Sequence, residues 1–204
     1  MEAMSGSQTR IHRAALRLFA EHGATQVTIS ELAQVAGVAR GTIYNNLPNP
    51  ETLFQDVAAQ LGDEMNQRVM LSFQEMGDPA QRLARGIRQY IRRAHEEPDW
   101  GRFICRFAFS SASLRSLLTG APAADIVKGI QDGRYTLKEE QMLSAIGLVG
   151  GSVLSAIMLV AEGHKTWRDA GHDTAELVLR ALGIPAEEAG KIARAELPPL
   201  PELR

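Results

Sequence analysis

From Met142 to Ala161 the chain carries twenty consecutive residues without a charged side chain. A run of that length and polarity has two physical solutions: a bilayer span, which needs about 20 apolar residues, or a helix buried by protein on most of its circumference. Gly147 and Gly151 at GxxxG spacing, with Tyr135 and Trp167 on either side, speak for the span. Three glycines and three serines that dilute the apolarity, the lack of a polybasic flank and the ordinary soluble helix pattern that follows speak against it. The buried helix is the preferred reading. Gly147, Gly150, Gly151 and Ser155 make a stripe on which a second helix can approach closely, and Ile146, Val149, Val153, Ile157 and Val160 supply another face for the chain's own core. The next helix, carrying Leu177, Val178 and Ala181, pairs with it as half of an intersubunit four-helix bundle, which predicts a homodimer.

The rest of the chain keeps to helical periodicity, with no strand alternation, repeat or low-complexity block. Its 204 residues, 45% hydrophobic and 23% charged, suffice for an ordinary folded core. A single cysteine, Cys105, excludes an internal disulfide framework and a multi-cysteine zinc site. The start MEAMSGSQTR has no apolar core and is not a signal peptide, so a reducing cytoplasm is expected. A net charge of −2 and a pI near 6.2 exclude nucleic-acid binding by bulk basicity.

The segment from Thr25 to Phe54 carries the functional signal. Thr28 and Glu31 have capping-box spacing, and Val27 with Leu32 can add a hydrophobic staple, so a helix starts at Ile29. Gly37 ends it, because a sharp helix stop requires a left-handed residue. The following segment, Ala39 to Leu47, turns Ile43 and Leu47 inward and leaves Arg40, Gly41, Thr42, Tyr44, Asn45 and Asn46 outward. Two short helices joined by a glycine turn, the second polar on its outer face, describe a helix-turn-helix whose second helix enters a DNA major groove. Gly41 permits close approach to the duplex, Thr42 and Asn45 can reach base edges, and Arg40, Tyr44 and the Thr28 cap can hold phosphates.

The spaced string Ala15, Leu18, Phe19, Gly23, Thr28, Ala33, Ala36-Gly37-Val38, Gly41-Thr42-Ile43-Tyr44, Leu47, Glu51 and Leu53-Phe54 resembles the N-terminal domain of the TetR family of transcriptional regulators, over roughly residues 9 to 60. The resemblance implies a homodimer that binds double-stranded operator DNA through this domain and releases it when a small molecule enters the C-terminal domain. Three positions depart from the family pattern: Asn46 and Leu47 stand where a His and an aromatic are common, and Pro50 where a Lys often opens the next helix. Asn49 and Pro50 nevertheless make a good cap and first helical residue.

The expected fold is therefore all-α, with a three-helix DNA-binding unit over 1–50 and a helical ligand-binding and dimerisation unit over 51–204. In the second unit a helix runs from Pro50 to about Met76, and another from Pro79 to His95 with Arg82, Arg85, Arg88, Arg92 and Arg93 on a solvated face. Thr136 and Glu139 have capping-box spacing, and a further helix begins at Gly171 and Asp173 or Thr174. Tyr90, Trp100, Phe103, Phe107, Met142 and Met158 are aromatic or thioether groups suited to an apolar pocket wall. Arg106 is the expected anchor for an acid group, so a largely apolar, neutral or anionic effector is predicted. No Ser-His-Asp order, P-loop, dinucleotide fingerprint or metal-ligand spacing occurs, so no enzyme activity, cofactor or metal is assigned.

Overall fold

In a computed structural model the described residues are 6–47, 49–73, 76–115, 117 and 120–203. Among them ten α-helices follow in order: α1 Gly6–His22, α2 Ile29–Ala36, α3 Arg40–Asn46, α4 Leu53–Ser72, α5 Pro79–Glu96, α6 Pro98–Phe107, α7 Ala121–Gln131, α8 Met142–Ala161, α9 Trp167–Ala181 and α10 Ala186–Ala193. The first three form a small bundle. Ile11, Ala15, Leu18 and Phe19 of α1 are buried with Leu32 and Ala33 of α2 and Ile43 of α3, the apolar faces their spacing dictates.

Helix α5 is the axis of the larger bundle, packed by α6, α7, α8, α9 and α10. That position overturns the solvated reading of its arginines, none of which is exposed. Arg88 and Arg93 are only 6% and 4% accessible. Their long stems lie in the core while each guanidinium reaches an acceptor elsewhere. Arg82 Nε donates to Asp125 Oδ1 at 2.7 Å, Arg85 to the Ser72 carbonyl, and Arg88 to the Ala195 carbonyl. Arg93 pairs with Glu64 and Glu97 and lies 4.7 Å over the Trp100 ring.

Helix ends depart from expectation in three places. Helix α4 stops at Ser72, short of Met76, after a 3-10 turn over Pro50–Thr52 in which Asn49 Oδ1 accepts from the Glu51 amide. No Thr136–Glu139 box forms. The turn before α8 is held instead by the Gln141 side chain, which accepts from the Lys138 amide at 3.0 Å, while the Thr136 amide bonds the Leu182 carbonyl. Helix α9 starts at Trp167, not at Gly171, because Thr166 caps it by accepting from the Asp169 amide at 3.1 Å. The tail after α10 is extended across α4 and α5: Arg68 Nε donates to the Pro201 carbonyl and Gln89 Nε2 to the Pro198 carbonyl.

Candidate DNA-reading face and ligand cavity

The capping box forms in full. Thr28 Oγ1 accepts from the Glu31 amide at 3.2 Å and donates to Glu31 Oε2, which also accepts from the Thr28 amide. Those bonds hold Glu31 below its ordinary pKa, the Thr28 side chain first among the causes. They also commit the Thr28 hydroxyl to the helix end, so it serves as a cap that aims α2 rather than as a free donor. Gly37 has φ 63°, and the Val38 amide closes onto the Ala33 carbonyl at 3.0 Å, which sets the angle between α2 and α3.

On α3 the inward residues Ile43 and Leu47 are buried, leaving Arg40, Gly41, Tyr44 and Asn45 exposed and Thr42 half-exposed. Tyr44 stands 60% accessible, far beyond what a packing residue shows. Nothing lies within 4 Å of where a Cβ on Gly41 would be, so a duplex can approach there. Asn46 is placed differently: it is half-buried and its amide donates back to the Thr42 carbonyl at 2.8 Å, acting on the helix end.

Of the residues expected to wall a pocket, Trp100, Phe103 and Phe107 are instead packed in the core. Phe103 and Phe107 of α6 join Phe19 of α1 and Phe54 of α4 in an aromatic cluster with centroid separations of 4.9 to 6.3 Å. Such pairs add about 0.5–1.5 kcal/mol each beyond their burial. Arg106 lies against the end of α1, where a Cβ on Gly23 would collide with its guanidinium. This joint fastens the three-helix unit to the larger bundle. Met142 is half-buried and Met158 is 53% accessible on the outside of α8.

A cavity of about 50 Å³ lies between α4, α5, α6, α7 and α8. Tyr90 is the one expected wall residue that lines it, with Val69 from α4 and Phe73 at its C-cap, Ile87 from α5, and Val149 and Val153 from α8. Its polar wall was not read from the sequence: Asn66, and the Arg82–Asp125 pair. Asp125 is 2% accessible, and burial raises its pKa while Arg82 opposes the rise. A lone carboxylate in the apolar stretch from Ala121 to Val127 that opens α7 was the available signal. The Tyr90 hydroxyl is buried with no partner among the described residues, and burial pushes its pKa up.

The opposite side of α8 is open. Gly147, Gly151, Ser155 and Leu177 line a groove with Leu148 and Leu159. Gly150 and Val178, placed by their spacing on the same stripe, face the protomer's interior instead: Gly150 lines the cavity and Val178 is 1% accessible. Their offset of one residue, or about 100° of helix turn, separates them from the open face. Ala181 is exposed.

An exposed polar helix on a three-helix unit, fastened to a larger helical bundle with its own cavity, defines a helix-turn-helix transcription regulator. Residues 11–57 match the model for bacterial regulatory proteins of the tetR family, and residues 78–195 match the tetracyclin repressor-like C-terminal domain. The chain belongs to the TetR family. It is similar to RolR in complex with resorcinol, at 28% identity over 96% of each chain and a TM-score of 0.71. It shares its fold with FadR of Bacillus subtilis in complex with stearoyl-CoA, at 20% identity, 87% and 99% coverage and a TM-score of 0.70. A TetR family regulator from Marinobacter aquaeolei VT8 is similar at 18% identity, 90% and 94% coverage and a TM-score of 0.69. No curated protein sequence matches the chain.

Proposed function

We propose that this protein is a cytoplasmic homodimeric repressor that holds double-stranded operator DNA through α3 and releases it when a small, largely apolar molecule enters the cavity. Arg40, Gly41, Thr42, Tyr44 and Asn45 make the DNA contacts, and α2, aimed by Thr28, presents its N-terminus to a phosphate. The unit that reads DNA covers residues 1–50, and the remainder, 51–204, binds the effector and the second protomer. The open face of α8 with Leu177 and Ala181 of α9 is the dimer surface.

The carrying observation is that one helix belongs to both places. Helix α4 sets Phe54 in the aromatic joint beside α1 and sets Val69 and Phe73 in the cavity wall. Those positions lie about 22 Å apart along the helix. A turn of roughly 8° about the middle of the helix, near Glu64, moves the Phe54 end by about 2 Å. Two reading helices must enter major grooves about 34–36 Å apart, so a shift of this size in each protomer takes them off register. A differential affinity of a few kcal/mol between the two spacings is enough to empty the operator. RolR, similar over the whole chain, holds the small molecule resorcinol, which supports a compact effector here.

Incubating the purified protein with sheared genomic DNA of its source organism and sequencing the retained fragments tests this reading. A small set of fragments carrying an inverted repeat is the expected result. Retention no better than that of a Tyr44→Ala/Asn45→Ala double variant would refute it.

A further inference from the structure

Four buried polar atoms in the described residues have no hydrogen-bond partner: Gln89 Oε1, Trp100 Nε1, and the hydroxyls of Tyr90 and Tyr135. Of these four residues only Tyr90 is in the wall of the cavity. A buried hydroxyl without a partner is a costly arrangement in a protein interior, and it is resolved when a ligand supplies the missing bond. The same wall holds Asp125, whose carboxylate is 2% accessible and takes the 2.7 Å hydrogen bond from Arg82 Nε. Around these groups the lining is apolar, with Val69, Phe73, Ile87, Ile104, Val149 and Val153.

The charge arrangement narrows the ligand. Arg82 is already committed to Asp125 and lies 4.7 Å over the Phe73 ring, so the pair contributes no net charge. A carboxylate entering the cavity would bring an uncompensated charge into an apolar interior, and an ammonium would have to compete with Arg82 for Asp125. An uncharged molecule with an apolar body and hydroxyl groups meets neither obstacle. Its hydroxyl can donate to Asp125 and exchange a bond with Tyr90. Size sets the second condition. A void of about 150 Å³ takes one benzene ring, and this cavity offers about 50 Å³.

We infer that the effector is an uncharged single-ring phenol, held by the Tyr90 hydroxyl and the Asp125 carboxylate, which fits only by spreading the cavity walls. This rests on the effector reading of the cavity and deepens it. The α4 wall, with Asn66, Val69 and Phe73, is then pushed outward by the ring itself. Trigger and lever are the same contact.

Isothermal titration of the full-length protein with resorcinol, phenol, benzene and benzoate tests it. Resorcinol and phenol bind, and benzene and benzoate bind at least about tenfold more weakly, the worth of one good hydrogen bond or of one uncompensated charge. Tyr90→Phe weakens phenol binding by about fivefold to tenfold, yet raises the thermal midpoint of the ligand-free protein, because it removes a hydroxyl that has no partner there. Asp125→Asn weakens resorcinol similarly; Tyr90→Phe keeps the test decisive if the loss of the Arg82 pair impairs folding. Benzoate binding as well as resorcinol, or Tyr90→Phe holding phenol as tightly as wild type, would overturn the inference. DNA retention by the ligand-free protein is scored separately: a protein that retains DNA and ignores phenols sinks this inference alone, and one that binds phenols without retaining DNA sinks the regulator reading alone.

Discussion

Replacing Gly151 by leucine separates the two faces of α8 experimentally. No atom of the protomer lies within 4 Å of a Cβ at Gly151, so the added side chain projects into the open groove and leaves the protomer's own packing intact. Leu148, Leu159 and Leu177 in that groove are 43%, 36% and 61% accessible, together about one and a half leucine side chains per protomer. Covering them in a symmetric dimer contributes roughly 4–8 kcal/mol at about 1.5–3 kcal/mol per leucine. That gain is realised only if the α8 helices come together over the small residues. A leucine at Gly151 overpacks the contact and costs about 1–3 kcal/mol, which weakens dimerisation by about fivefold to 150-fold. Sedimentation velocity over a dilution series, with circular dichroism to confirm that the protomer stays helical, reads the effect. A wild-type protein monomeric at micromolar concentration, or a Gly151→Leu variant that dissociates no more readily than wild type, would refute the assignment of this face.

Other consequences are as direct. Tyr44→Ala lowers affinity for retained and random DNA alike, whereas Asn45→Ala relaxes base preference at particular positions; gel-shift titrations against single-base operator variants distinguish them. His172 is held below its ordinary pKa by burial first and then by the charges of Arg88 and Arg194, with Arg88 3.4 Å away. A depressed folded pKa means that its contribution is present above the ordinary value of 6.5 and is lost as pH falls, because the unfolded chain takes up the proton more readily. The thermal midpoint therefore declines on acidification below that value, and His172→Gln flattens this part of the profile. Burial pushes the Cys105 thiol up to about 11, and its sulfur faces the Leu154 carbonyl. Native protein at pH 8 therefore resists iodoacetamide, and unfolded protein does not, as mass spectrometry would show.

What was legible in the chain and what was not follows from how far each signal reaches. Thr28, Glu31 and Gly37 act within a single turn of helix, so the start and stop of α2 could be read directly, and the polar outer face of α3 followed from Ile43 and Leu47. The uncharged run of α8 called for cover, and the protomer supplies it on one face, where Val149, Val153 and Ile157 are buried, while Leu143, Leu148 and Met158 stay exposed. The cavity could not be read in the same way. Its walls come from α4, α5, α6, α7 and α8, and an apolar side chain facing a void has the same periodicity as one facing a neighbour. The arginines of α5 misled because a guanidinium at the end of a long stem finds its acceptor through the fold: Asp125 is 43 positions from Arg82, and Ala195 is 107 from Arg88. Gly171 imitated a helix start inside α9. The start is set instead by Thr166, whose hydroxyl accepts from the Asp169 amide.

Helix α4 is fixed at more points than a tether between two domains requires, and this decides how a push at the cavity travels. Phe54 is packed among Phe19, Phe103 and Phe107; Met65 is fully buried; Glu64 is bound by Arg93, itself 4% accessible; and Arg68 is tied to the Pro201 carbonyl of the tail. A helix held only at its ends could bend and dissipate a displacement of its last turns. With buried contacts spaced along its length, α4 moves instead as a rigid element, because close-packed interiors transmit strain rather than absorb it. The restraints are also unequal in kind. The aromatic joint has no polar bond to break and can slide, whereas the Arg93 and Arg68 bonds have fixed donors and acceptors. Displacement of Val69 and Phe73 therefore pivots α4 about its middle, near Glu64 and Arg68, and the movement emerges at Phe54, beside the helices that read DNA.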